Sequence, residues 1–240
     1  MEQIRKKQRK LFISFLLTIV AFSLVVLSLF LTSWATDLKL SLLLVLLIIM
    51  LFVLFWFKPR LFFYDQQYGY LKLKDLQGKP VRTKHDLSSQ AYINRLTKME
   101  FKVFASNDAY AVLHRFTRDA TNFLTKRPML EVIAVIYKDD MPYHDQEISK
   151  MINLIEDDYI RRKTKFTNYT ILQLKMGDII DETHGNDYDQ VVFDTQAGRH
   201  ITVINGYYAK KTNEVSFLYS ETYYPTAFYQ YGVSLMKSIL

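Results

Sequence analysis

The densest run of metal-ligating side chains lies in residues 176–190, MGDIIDETHGNDYDQ, where Asp178, Asp181, Glu182, His184, Asp187 and Asp189 crowd together. Hard carboxylate oxygens with one imidazole suit a divalent metal. A metal held there could activate water, so a metal-assisted hydrolase or nuclease is one reading of the chain. The spacing is not that of a calcium-binding EF-hand loop, and Asp, Asn and Gly also serve a solvated hairpin tip. A divalent metal is therefore a cofactor the residues allow but do not require.

A second cluster, His114-Arg115 with Arg118 and Asp119 in HRFTRD, offers an imidazole and two guanidinium groups. With Lys126 and Arg127 downstream, it suits a nucleotide or other small anion, the chemistry of a sensor. The third feature is tyrosine: Tyr207, Tyr208, Tyr223 and Tyr224 stand in adjacent pairs near the C-terminal end. Side chains alternate across a strand, so each pair faces both sides of a sheet, and some rings are expected on a surface that a partner covers.

Other chemistry has less material. There is no cysteine, which removes disulfides, thiol nucleophiles and thiolate zinc sites. With seven glycines in 240 residues, the chain has no phosphate-cradling loop, no G-x-S-x-G elbow and no H-E-x-x-H pair. An Asn168-Tyr169-Thr170 sequon is present and is expected to be unmodified on a cytoplasmic domain.

The elements that must position these residues begin with two apolar runs. No residue from Leu11 to Leu31 is charged, and none from Leu40 to Phe57. About 20 apolar residues cross the hydrocarbon core as a helix, so both runs are long enough or nearly so. The sequence predicts a transmembrane hairpin over 11–57, with helices at about 11–32 and 40–57, the second ending at Lys58-Pro59-Arg60. Arg5, Lys6, Lys7, Arg9 and Lys10 precede the first span, Lys39 alone separates the two, and Lys58 and Arg60 follow. That asymmetry places both termini in the cytoplasm of a two-span protein of the cell membrane. A cleaved signal peptide ending near Ser33-Trp34-Ala35 is the lesser reading, because its apolar region would be too long.

These flanking cations carry most of the net charge of +7, which leaves residues 61–240 nearly neutral and argues against a nucleic-acid partner. Neither span holds a charged residue, so an ion pathway has no group to use. Ser14, Ala21, Ser28 and Ala35 form a small-residue stripe, expected to receive Leu and Ile knobs from the second helix or else to form a homo-oligomer seam.

Residues 61–240 read as one cytoplasmic α+β domain, with a mixed, largely antiparallel sheet and about three helices. Residues 61–76 suit a hairpin or an interfacial stretch. The β-branched run at 130–137 predicts a central strand buried on both faces, and a helix follows Pro142 and Asp145. Four strands after residue 169 are expected to form an antiparallel meander, closed by a helix after Pro225. The function this favours is a membrane-anchored interaction or regulatory domain rather than an enzyme. Its partners would be the bilayer and a protein, or a second copy of the chain.

Overall fold

The structure, a computed structural model, describes residues 1–118, 128–164, 168–179, 187–196 and 199–240, without the side chains of Arg118, Thr195 and Gln196. It is α+β, with two long apolar helices at the N-terminal end and a mixed eight-stranded sheet. The chain divides into two compact units, Met1–Lys72 and Leu73–Leu240.

Helix α1 spans Glu2–Leu31 and α2 spans Thr36–Asp75, and both are long and apolar enough to cross a membrane. The stop expected at Pro59 is absent, and α2 runs through it, so residues 61–75 are helical rather than a hairpin. Proline removes one backbone donor, and here that loss does not outweigh the helical bonds on either side. Phe15, Phe22, Val26 and Leu29 of α1 and Leu46, Met50, Val53 and Phe57 of α2 are among the less exposed positions of the two helices and recur at heptad-like spacing, as a seam between them requires. Phe15 meets Phe57 at a ring-centroid distance of 5.2 Å. Ser14, Ala21 and Ser28 lie exposed, away from this seam, so the small-residue stripe does not receive α2.

The second unit is built on strands β1 (Val81–Arg82), β2 (Lys102–Ser106), β3 (Tyr110–Arg118), β4 (Pro128–Ile136), β5 (Asn168–Gly177), β6 (Val192–Gln196), β7 (Arg199–Ala209) and β8 (Glu214–Phe217). Their order is β1-β8-β7-β5-β4-β3-β2, with β6 also paired to β7. As the β-branched run predicts, β4 is central and buried on both faces. Helices α3 (Gln90–Lys98), α4 (Gln146–Arg161) and α5 (Ala227–Ile239) complete the unit.

The expected meander is not what forms. Strand β5 runs parallel to both β4 and β7, while β6 and β8 pair antiparallel with β7. Burial explains the choice: β5 is ten residues long and nearly all buried, so both its edges need partners of similar length. The eleven-residue β7 provides one and the five-residue β6 does not.

Sheet alternation sorts the core into two faces. Val112, Leu130, Val132 and Ala134 pack with Ile148 and Ile155 of α4. The opposite face carries α5, where Gly232 lies against Ile204, Thr202 and Thr170. Each fully buried aliphatic side chain contributes roughly 1.5–3 kcal/mol. Helix α3 joins α5 through Arg95, which donates to the carbonyls of Ile239 (2.9 Å) and Ser238 (3.3 Å) in its last turn. Side-chain oxygens cap each of these helices: Ser89 accepts from the Tyr92 amide, Asp145 from Glu147 and Thr226 from Tyr229.

Candidate functional site

Polar side chains collect where the parallel strands β4, β5 and β7 end, in the loop from β4 to α4 and on the strand face that α4 covers. His144 sits in that loop with a φ of 61°. Glu100 and Lys163, also at positive φ, each follow a helix C-cap, and Asn213 lies in the β7–β8 turn. No cap or hairpin accounts for His144, and a non-glycine residue there is strained.

Gln173, 1% exposed in the middle of β5, holds it in place. Its Oε1 accepts from the His144 backbone amide at 3.0 Å, and its Nε2 lies 3.0 Å from His144 Nδ1. Because Oε1 is taken by a donor, Nε2 must donate to the ring, so Nδ1 is unprotonated and the neutral imidazole carries its proton on Nε2. His144 lines a groove of about 630 Å³ with Lys138, Asp140, Asp145 and Glu147. The His144 Nε2–H and the Lys138 ammonium can donate to a small polar molecule in this groove, and the carboxylates can accept from it.

Next to this clamp, Tyr143 donates to the Gly206 carbonyl at 2.9 Å, and Tyr207 donates to Asp139 Oδ2 at 3.3 Å. Burial, followed by the charge of Asp187, pushes the Tyr143 hydroxyl well above its ordinary range. Lys175, 5% exposed, places its ammonium 5.4 Å from the Tyr143 ring. Asn205 is fully buried and donates to the Gln190 carbonyl at 2.7 Å, and its own Oδ1 meets no donor among the described residues.

Among the described residues, those singled out in the sequence do not come together as one site. Asp189 is buried and pairs with Lys74 at 2.7 Å, while Asp178 is exposed and only 3.9 Å from Lys211. Asp187 is exposed. Asp181, Glu182 and His184 lie outside the described residues, and among those described no group of three His, Asp or Glu side chains stands where a metal could be held.

His114 and Arg115 are adjacent in β3 and therefore face opposite sides of the sheet. His114 Nδ1 lies 3.0 Å from the Tyr159 hydroxyl on the α4 side, in a row of rings with Phe104 and Tyr159. Arg115 turns to the α5 side. There it donates to Glu131 Oε2 at 2.6 Å and to the Met99 carbonyl at 2.8 Å, and its guanidinium lies 4.3 Å from the centre of the Phe101 ring. It is committed to the core and not presented to an anion. The side chain of Arg118, with Lys126 and Arg127, lies outside the described residues.

Tyr207 and Tyr208 point to opposite faces as expected, yet each is 1% exposed, because helices or loops cover both sides of β7. Tyr223 and Tyr224 are half-buried. Asn168 of the sequon is buried at the start of β5.

Sequence reading passed over the His144–Gln173 clamp and the Tyr207–Asp139 pair. The signal was present in β5, where Gln173 and Lys175 alternate with Leu172, Leu174 and Met176 and so share one otherwise apolar strand face.

The two imidazoles give the domain a pH dependence of definite sign. Burial, with Lys102 adding to it at His114, holds both His114 and His144 below the usual histidine range. Folding therefore favours their neutral forms: this stabilisation is complete above the ordinary value of about 6.5 and is lost as the pH falls below it. The urea midpoint should be flat from pH 8 to about 6.5 and fall below that, with a shallower fall in the His114→Gln, His144→Gln variant.

The chain matches no known protein family, no curated protein and no solved structure.

Proposed function

We propose that this chain is a membrane-anchored interaction or regulatory protein. In this reading α1 and α2 hold an α+β domain at the cytoplasmic surface of the cell membrane, with both termini on that side. The observation that carries the anchor is where the apolar surface lies. In the most apolar stretch of each helix only 0% and 6% of the residues are buried. Leu31, Phe52 and Phe55 are 82%, 71% and 76% exposed. A helix in a soluble core would cover such side chains, whereas hydrocarbon accepts them without cost. The Lys and Arg bias around the spans supports the orientation.

The interaction surface moves away from the tyrosines, which are largely core. Among the described residues strand β2 pairs only with β3, which leaves its other edge without a strand partner there, and Val103 and Phe104 of β2 are 43% and 38% exposed. An open edge with apolar side chains is suited to receive another strand. Carbonate washing of membranes from cells expressing the chain should leave it in the pellet, and detergent should release it. Release by carbonate alone would contradict the anchor.

A second reading, a small-ligand sensor, is favoured by the strained and clamped His144 in its groove. Under it, a polar metabolite panel should raise the melting temperature of the protein, and His144→Gln should abolish that gain.

A further inference from the structure

We infer that the cationic end of the two-helix unit binds the phosphate headgroup of an anionic phospholipid. This rests on the membrane reading above and adds a ligand class to it. Arg5, Lys6 and Arg9 of α1, with Phe12 of α1 and Leu61 of α2, line a groove of about 680 Å³. That volume falls in the range of sites that hold small molecules.

The charges in the groove are unbalanced. Glu2, which also lines it, pairs with Lys6 at 2.9 Å. Asp65 of α2 accepts from Gln8 at 3.2 Å. Among the described residues neither Arg5 nor Arg9 has a carboxylate within ion-pair distance. The two guanidinium groups stand at i and i+4, a spacing at which like charges oppose the helix unless an anion lies between them. A phosphate fills that role, because each planar fork can give two parallel hydrogen bonds to its oxygens.

The second half of the groove selects a lipid over a free phosphate. Phe12 and Leu61 form an apolar wall at the level where α1 leaves its charged segment, and they fit the upper part of an acyl chain. Gln8 meets Asp65 and Phe15 meets Phe57, so the helices run antiparallel and Lys58 and Arg60 fall at the same end of the unit. The Arg60 guanidinium lies 3.7 Å from the centre of the Trp56 ring, an aromatic and cationic pairing typical of the headgroup layer. The groove therefore opens where lipid phosphates lie.

The test uses the full chain in a zwitterionic detergent, titrated with short-chain phosphatidylglycerol, with phosphatidylcholine of the same chain length and with glycerol 3-phosphate. Binding is read by native mass spectrometry. Saturable retention of phosphatidylglycerol is expected, with weaker phosphatidylcholine retention and no competition by glycerol 3-phosphate. Two surface cations are worth about thirtyfold in affinity for an anionic lipid, so Arg5→Gln with Arg9→Gln should lose about that much. Lys39→Gln, which removes a cation at the other end of the unit, should change affinity less than about threefold. Equal retention of the two lipids, an unchanged double variant, or equal competition by glycerol 3-phosphate would overturn the inference. A chain that resists carbonate extraction yet shows no lipid preference refutes this site and leaves the anchor standing. One that carbonate releases refutes both.

Discussion

Replacing Glu131 by alanine is expected to destabilise the α+β domain by about 3–5 kcal/mol, the usual cost of removing one partner from a buried ion pair. The Glu131 carboxylate is fully buried in β4. It accepts from Arg115 at 2.6 Å, from the Thr117 hydroxyl at 2.9 Å and from the Tyr231 hydroxyl of α5. These bonds tie β3, β4 and α5 together in the interior. Burial first, and then the neighbouring carboxylate, raise the Tyr231 hydroxyl above its ordinary range, so it stays a donor.

Alanine would leave a guanidinium that is mostly buried, and two hydroxyls, without their acceptor. The cost arises from those orphaned groups more than from the lost attraction. Glu131→Leu combined with Arg115→Met should therefore recover only part of the loss, because the apolar pair removes the orphaned charge but still leaves the Thr117 and Tyr231 hydroxyls without their acceptor. Urea unfolding of the full chain in detergent, followed by circular dichroism, measures all four corners of the cycle. A loss below about 1 kcal/mol for Glu131→Ala would mean that the carboxylate is not held as described.

The second large effect is expected at Gly177, the last residue of β5. A Cβ there would lie 1.7 Å from the Tyr207 hydroxyl oxygen, 2.5 Å from its Cζ and 3.2 Å from Asp139 Cγ. Tyr207 is 1% exposed and bonded to Asp139, so the ring cannot swing clear into solvent. Forcing a methyl group into a filled interior costs about 1–3 kcal/mol, and displacing the hydroxyl adds the loss of its hydrogen bond, about 1 kcal/mol. Tyr207→Phe alone should cost about 1 kcal/mol. Combined with Gly177→Ala it should cost less than the sum, because the worst contact is to the atom that phenylalanine lacks. Simple additivity of the two would show that they do not meet.

These two positions illustrate what the sequence could convey. The buried run at 130–137 predicts a central strand, and Glu131 lies inside it as one charge among β-branched residues. A reader can see that such a carboxylate needs a partner, yet Arg115 lies on another strand and Tyr231 is 100 residues away. The pairing depends on register, and register is not local. Gly177 is harder still, since only the parallel docking of β7 beside β5 brings Tyr207 over it.

Amphipathic elements with strong local signals were legible. Helix α4 is set by Asp145 and the spacing of Ile148 and Ile155, and α5 by its start after Pro225. Its buried face holds Leu235 and Ile239, which the helical spacing puts on one side, together with Tyr229, Gly232, Val233 and Met236. Long-range choices were not legible. Proline 59 reads locally as a stop, but the helical turns on either side continue through it. The adjacent tyrosines at 207 and 208 read as half-exposed under the assumption of a sheet with one wet face, and cover on both faces removes that inference. Among the described residues, those that suit metal and anion binding are near one another in sequence only. In a strand nearness separates neighbours, and His114 and Arg115 end on opposite sides for that reason.

The proposed anchor of two spans, with the domain on the cytoplasmic side, is directly measurable because the chain has no native cysteine. Single cysteines at Ser33, between the helices, and at Ser106, exposed on β2, would be probed with a membrane-impermeant maleimide on intact cells and after permeabilisation. Labelling of Ser33→Cys is expected in intact cells, and of Ser106→Cys only after permeabilisation. Labelling of Ser106→Cys in intact cells, or of neither position until the membrane is opened, would contradict this topology.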